Sequence, residues 1–239
     1  MTRVVRNAAF LCVAGILLAS AALANVPDPA KSTLQSAYIA VEGSTAGNPD
    51  NCSDGRCGNF ICTIRDFANN VIAGSTVLID FSGCSDIQVS CDQLNGVTGQ
   101  TYLAGKKVAG TTNAAGQFTF KVQGASNAVG TVGNTTSAGT NAGVPCAQLY
   151  ADGVPMIPAL IVAAYDVNGL GSPATAVSGA DVSQVAQEAT KIPFGAQARA
   201  RDDYNNSNTV TGGDVAIEAA MAAQQGVGTG SQKTAPYCP

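Results

Sequence analysis

Apolar and polar positions alternate with period two through much of the first two-thirds of the chain. Phe60, Cys62 and Ile64 alternate with Ile61, Thr63 and Arg65; Val77, Ile79 and Phe81 with Leu78 and Asp80; Phe118, Phe120 and Val122 with Thr119 and Lys121. Runs of this kind, bounded by Gly, Asn and Asp turns, predict half-buried antiparallel strands. Leu34 to Val41 predicts a first strand. Ala159 to Tyr165 is more continuously apolar and predicts a central closing strand. So many short strands predict a mainly β fold, one sandwich large enough for its own core.

The pattern changes after Tyr165. Val177-Ser178-Gly179-Ala180-Asp181-Val182 is echoed by Val210-Thr211-Gly212-Gly213-Asp214-Val215, 33 residues later (210 − 177 = 33). Each copy follows a run of short oxygen-bearing side chains that opens on Asp and leads into an Ala-rich stretch, the second predicting a helix from Val215 to about Ala223. Calcium needs six to eight oxygens around one point, and loops with oxygen side chains at alternate positions supply them. In the second loop Asp203, Asn205, Ser207, Thr209 and Asp214 stand at positions 1, 3, 5, 7 and 12. Position 7 uses its backbone carbonyl, and Val210 at position 8 is expected to point inward toward its counterpart in the other loop. The closing Asp214 also suits the first turn of a helix.

This duplicated arrangement resembles the dockerin family, whose two calcium loops run Asp-x-Asn-x-Asp-Gly, a hydrophobic residue, small residues, then Asp with Leu or Val. The second loop matches at Asp203, Asn205, Val210, Asp214 and Val215; the first at Asp166, Asn168, Gly171, Val177, Asp181 and Val182. The first loop departs more: Leu170 stands at position 5, and four extra residues fall within Ser172 to Ala176. There a water replaces the missing ligand or the site stays empty. The resemblance implies Ca2+ as cofactor, held by Asp203, Asn205, Ser207, Thr209 and Asp214 in one loop and by Asp166, Asn168 and Asp181 in the other, with Asp202 as an outer-shell extra. Two further stretches, Cys62 to Val77 and Thr111 to Phe120, look like the strand–turn–strand and the hairpin of bacterial immunoglobulin-like domains. That resemblance covers roughly 33–164; a β-sandwich of another family is the alternative. The expected organisation is a signal peptide (1–24), an immunoglobulin-like β-sandwich (25–164), a small α-helical dockerin-like module with two calcium loops (165–225) and a tail (226–239). Tyr165 leads straight into Asp166, so the two modules are expected to pack together.

The N-terminus sets the compartment. Arg3 and Arg6, the apolar run Ala8 to Ala21 and Ala22-Leu23-Ala24 read as a secretory signal, with a membrane anchor as the alternative. Removing it takes the net charge from −4 to −6, which argues against nucleic acid or an anionic membrane surface as partner. Seven cysteines then remain, an odd number, with disulfides the default after export. Cys84–Cys91 and Cys52–Cys57 are local candidates. Zinc at Cys52–Cys62 lacks paired spacing and any His. Ser126 to Gly143 reads as a long surface loop.

The chain contains no His and no Trp, and charged residues are 12% of it. Most acid–base and nucleophilic mechanisms thereby lose their usual base, and no catalytic residues are assigned. The expected function is a secreted, non-enzymatic module that docks to a cohesin-type partner on a scaffold or cell surface, through helix residues Ser183, Gln184, Gln187, Glu188 and Glu218. The loops carry Gly179-Ala180 and Gly212-Gly213 where cohesin-binding dockerins often carry Ser-Thr. The alternatives are a calcium-stabilised surface, filament or adhesin subunit, and an accessory component of polysaccharide degradation.

Overall fold

A computed structural model describes residues 25–41, 59–91, 93, 99–126, 144–167, 177–191, 200–205, 207 and 209–226. The signal segment, Asn168, Cys52, Cys57, Cys238 and residues 127–143 and 227–239 lie outside them. The described chain is mainly β, with twelve short strands, two α-helices and one 3-10 turn, Ala200–Asp202.

Two antiparallel sheets form the body. One has three strands in the order β1 (Thr33–Leu34), β3 (Asn59–Thr63), β8 (Gln117–Lys121). The other has five: β11 (Val154–Pro155), β10 (Gln148–Ala151), β4 (Thr76–Asp80), β7 (Lys107–Thr111) and β6 (Thr101–Leu103). A short pair, β5 (Ile87–Val89) with β9 (Gly124–Ser126), extends the body. The period-two pattern sets the inward faces. Phe60, Cys62, Phe118 and Phe120 of the smaller sheet share one core with Val77, Ile79, Val108, Leu149 and Ala151 of the larger. Full burial of each large side chain contributes roughly 1.5–3 kcal/mol. Gly110 leaves room for the Phe118 ring, since a Cβ there would lie 2.1 Å from it.

Thr111 to Phe120 is not the expected hairpin, and Cys62 to Val77, a strand–turn–strand as expected, also changes sheet. β3 and β4 lie in different sheets, as do β7 and β8. Each stretch is therefore a corner that carries the chain between sheets. In the first, the Asp66 carboxylate accepts the Asn70 amide at 2.8 Å, Asn69 adopts φ 66° and Gly74 φ 77°. In the second, Asn113 Oδ1 accepts the Ala115 and Gln117 amides at 2.8 and 3.1 Å.

Leu34 to Val41 is likewise two strands. β1 joins the smaller sheet, whereas β2 (Tyr38–Val41) pairs in parallel with β12 (Ile161–Ala164). The predicted central closing strand is thus half of a two-stranded parallel ribbon. Its continuous apolarity has a physical cause: both faces are buried. Ile39, Val41, Val162 and Ala164 face the core shared by the two sheets. Tyr38, Ala40, Ala163 and Tyr165 face a second core with Val167, Val177, Val185, Tyr204, Val210 and Met221. The ribbon is a wall common to the β body and the C-terminal segment.

That segment holds α1 (Gly179–Lys191) and α2 (Gly212–Gly226), packed on each other. Val177 and Val210, equivalent residues of the two copies, are both buried in the second core. Tyr204 stacks on Tyr165 with ring centroids 4.6 Å apart, and its hydroxyl donates to the Ala164 carbonyl at 3.1 Å. Arg201 reaches into the β body. Its Nε and Nη2 donate to Asp86 Oδ2 and Oδ1 at 2.9 and 2.8 Å, and Nη1 donates to the Val162 carbonyl.

The local cysteine pairing is also corrected. Cys84 is bonded to Cys146, across 62 residues, not to Cys91; Cys91 is itself disulfide-bonded. Cys62 is reduced and buried between the sheets, and burial pushes its thiol up to about 12.

Candidate functional site

The two copies build the same local structure. Ser178 and Thr211 are N-caps: their hydroxyls accept the amides of Ala180 and Gly213, each at 3.2 Å. Three residues on, Asp181 and Asp214 reach back. Asp181 Oδ2 accepts the Ser178 amide at 2.9 Å, and Asp214 Oδ2 accepts the Thr211 amide at 2.8 Å. These are reciprocal capping boxes with Asp in the acidic position. The other carboxylate oxygen closes the loop. Asp181 Oδ1 accepts the Val167 amide at 3.1 Å, and Asp214 Oδ1 accepts the Tyr204 amide at 2.9 Å and that of Asn205 at 3.2 Å. Each closing Asp thus ties the residue after the opening Asp to the start of its helix. Both are fully buried.

In the second loop, the five predicted side chains belong to one hydrogen-bonded turn. Asp203 Oδ1 and Asn205 Oδ1 both accept the Ser207 amide, at 3.0 and 2.9 Å. Oxygens from positions 1 and 3 therefore converge. Ser207 Oγ donates to the Thr209 carbonyl at 3.0 Å, which brings positions 5 and 7 together. Asp214 faces positions 2 and 3 through their amides. Carboxylate, amide, hydroxyl and carbonyl oxygens around one turn form a hard, mixed donor set that suits Ca2+. The set has two carboxylates. Among the described residues no three carboxylate, thiol or imidazole groups converge on one point.

In the first loop, Asp166 is buried and its carbonyl accepts the Ser126 amide at 2.8 Å. Asp181 is placed as described, and Asn168 lies outside the described residues.

The expected docking patch needs correction. Ser183 and Gln187 are exposed and Gln184 is half-buried, but Glu188 and Glu218 are buried at 5% and 0% exposure. Glu188 pairs with Lys191 at 2.5 Å. Both Glu218 oxygens are buried and accept no hydrogen bond. The Tyr204 hydroxyl, which donates to the Ala164 carbonyl, also lies near Glu218 and favours its ionised form. Burial foremost, then the charges of Asp181, Asp202 and Asp166, raise the Glu218 carboxyl to about 9. Burial also raises the Tyr38 and Tyr204 hydroxyls well above the ordinary tyrosine range. The sequence carries a sign of this role for Glu218. At the same 33-residue offset its counterpart is Val185, a buried core residue.

No family model matches the chain, and no curated protein matches it. Among solved structures, the Yersinia pseudotuberculosis adhesin InvE aligns at 16% identity with a TM-score of 0.22, over 58% of this chain and 28% of that one. No helix among the described residues is long and apolar enough to cross a membrane.

Proposed function

We propose that this is an exported, non-catalytic calcium-binding protein in which a dockerin-like loop pair fastens two helices to an immunoglobulin-like β body and presents them to a protein partner. The observation behind this reading is the repeated geometry of the two loops. Asp181 and Asp214 each join a helix N-terminus to the opening of their loop, and in the second loop the oxygens of Asp203, Asn205 and Ser207 gather at one turn. Asp203, Asn205, Ser207, Thr209 and Asp214 would hold one ion; Asp166 and Asp181 belong to the other loop. Bound calcium supplies charge neutralisation for carboxylates that the fold withdraws from water.

The surface offered to a partner is then the exposed side of α1, with Ser183 and Gln187. A cohesin-type partner fits the loop resemblance, although the glycine and alanine at the loop ends differ from cohesin-binding dockerins. A structural surface subunit is the second reading. It is favoured by the common wall of Tyr38–Val41 and Ile161–Ala164, which makes the helices part of the body and not a tethered adaptor. Calcium titration of the mature protein by calorimetry tests the proposal. Saturable binding that Asp203→Ala and Asp214→Ala each reduce is expected; no heat of binding would overturn it. Calcium-dependent pull-down with purified cohesin then separates the docking reading from the structural one.

A further inference from the structure

We infer that the solvent face of the larger sheet carries a glycan-binding trough whose ligand is a neutral, hydroxyl-rich oligosaccharide. The inference goes beyond the calcium reading and does not depend on the loops.

The alternation that buries Val77, Ile79, Leu149 and Ala151 turns Thr76, Leu78, Asp80 and Tyr150 to the opposite face. Strand register then sets them side by side: Tyr150 stands opposite Leu78, and Asp80 opposite Lys107. With Asp152 and Gly153 they line one trough of about 600 Å³, within the range of small-ligand sites.

The middle of the trough is apolar, made by Leu78 and Tyr150. Its two ends are polar and held in place. At one end Asp80 Oδ1 accepts the Ser82 amide at 2.8 Å, and Oδ2 lies 3.5 Å from Lys107 Nζ. At the other the Asp152 carboxylate reaches over to β4, where it accepts the Ser75 hydroxyl and the Thr76 amide, each at 2.8 Å. Gly153, at φ 82°, leaves the rim open there, since a Cβ on it would meet no atom within 4 Å. From Thr76 to Asp80 the strand rises about 13 Å, which gives room for a short oligosaccharide.

The lining selects among occupants. The floor is an interior strand, β4 between β10 and β7, with its backbone groups engaged in the ladders on both sides. A peptide adding as a strand needs a free edge, and the trough has none. Recognition therefore falls to side chains. Two carboxylates and one ammonium leave no cluster of cations to hold a polyanion. The ligand that fits packs C–H surface on a tyrosine and a leucine and shares hydroxyls with carboxylates and an ammonium. A sugar ring has both parts. Tyrosine offers an apolar body with a polar tip for such a ring. Asp80, Lys107 and Asp152 are already held by one another or by the backbone, so little side-chain freedom is lost on binding.

The test uses the mature full-length chain in calcium buffer, titrated by calorimetry with cellohexaose, xylohexaose, mannohexaose and hexagalacturonic acid. At least one neutral hexamer is expected to bind saturably, and the acidic hexamer is not. Tyr150→Ala should weaken that binding about tenfold, and Tyr150→Phe should keep most of it. Thr76→Trp fills the trough from an exposed rim position; it should melt as wild type does and bind no sugar. This variant keeps the test valid should Tyr150→Ala fail to fold. Absence of binding by every neutral hexamer overturns the inference. So does preference for the acidic hexamer, and so does equal binding by wild type and Thr76→Trp.

Discussion

At the scale of single residues, the acids of the C-terminal segment divide by what they touch. Asp214 accepts three amides and the Thr211 hydroxyl, so Asp214→Ala strands buried donors and should cost about 1–3 kcal/mol even without metal. Thermal or urea melting in EDTA measures this. Arg201 is a different case. Its guanidinium fills a buried fork on Asp86, and Arg201→Met would leave that carboxylate buried and unpaired. A loss of about 3–5 kcal/mol is expected, with part of it recovered in the Arg201→Met, Asp86→Leu double variant. Glu218 gives a pH signature in EDTA. Its carboxyl rises from 4.5 to about 9 on folding, so the folded state holds the proton more tightly. That contribution is fully present below pH 4.5 and is lost as pH rises toward 9. The charges of Asp181, Asp202 and Asp166 add to the effect once Glu218 ionises, and the Tyr204 hydroxyl opposes it. Wild type should therefore lose stability across that window relative to Glu218→Gln. Equal slopes of melting temperature against pH would contradict the assignment.

At the scale of elements, alternation was readable wherever one face of a strand is buried. Val77/Ile79 and Phe118/Phe120 point inward as their spacing indicates. Their partners were not readable, because the same alternation suits a hairpin or a corner between sheets, and only long-range packing decides. The ribbon of β2 and β12 shows this most clearly. Tyr38–Val41 and Ile161–Ala164 are far apart in sequence, and a strand buried on both faces carries no periodic signal. Asp214 was expected in a first helical turn, but the capping boxes at Ser178/Asp181 and Thr211/Asp214 went unread, although a cap depends only on neighbours three residues away. Glu218 was assigned to the surface because a Glu in a helix usually lies there; comparison with Val185 in the other copy was the available sign. Cys84–Cys146 followed from tertiary proximity, which local spacing cannot reveal. Closing its 62-residue separation should contribute roughly 4 kcal/mol through loop entropy. A Cys84→Ser, Cys146→Ser variant melted under the same conditions checks that figure.

At the scale of the whole molecule, the β body and the helix pair are joined by a common wall, by the Tyr165–Tyr204 stack and by Arg201. Truncation before Asp166 would expose Tyr38, Ala40 and Ala163, so the body alone should be less stable and less soluble than the full chain. The central claim is that calcium fastens the helices to this body. Hydrogen–deuterium exchange of the mature protein, read by peptide mass spectrometry with and without calcium, addresses it most directly. Protection should rise in α1, in α2 and in Tyr38–Val41 when calcium is added, and the rise should vanish in Asp203→Ala, Asp214→Ala. Identical exchange in EDTA and in saturating calcium would contradict the account.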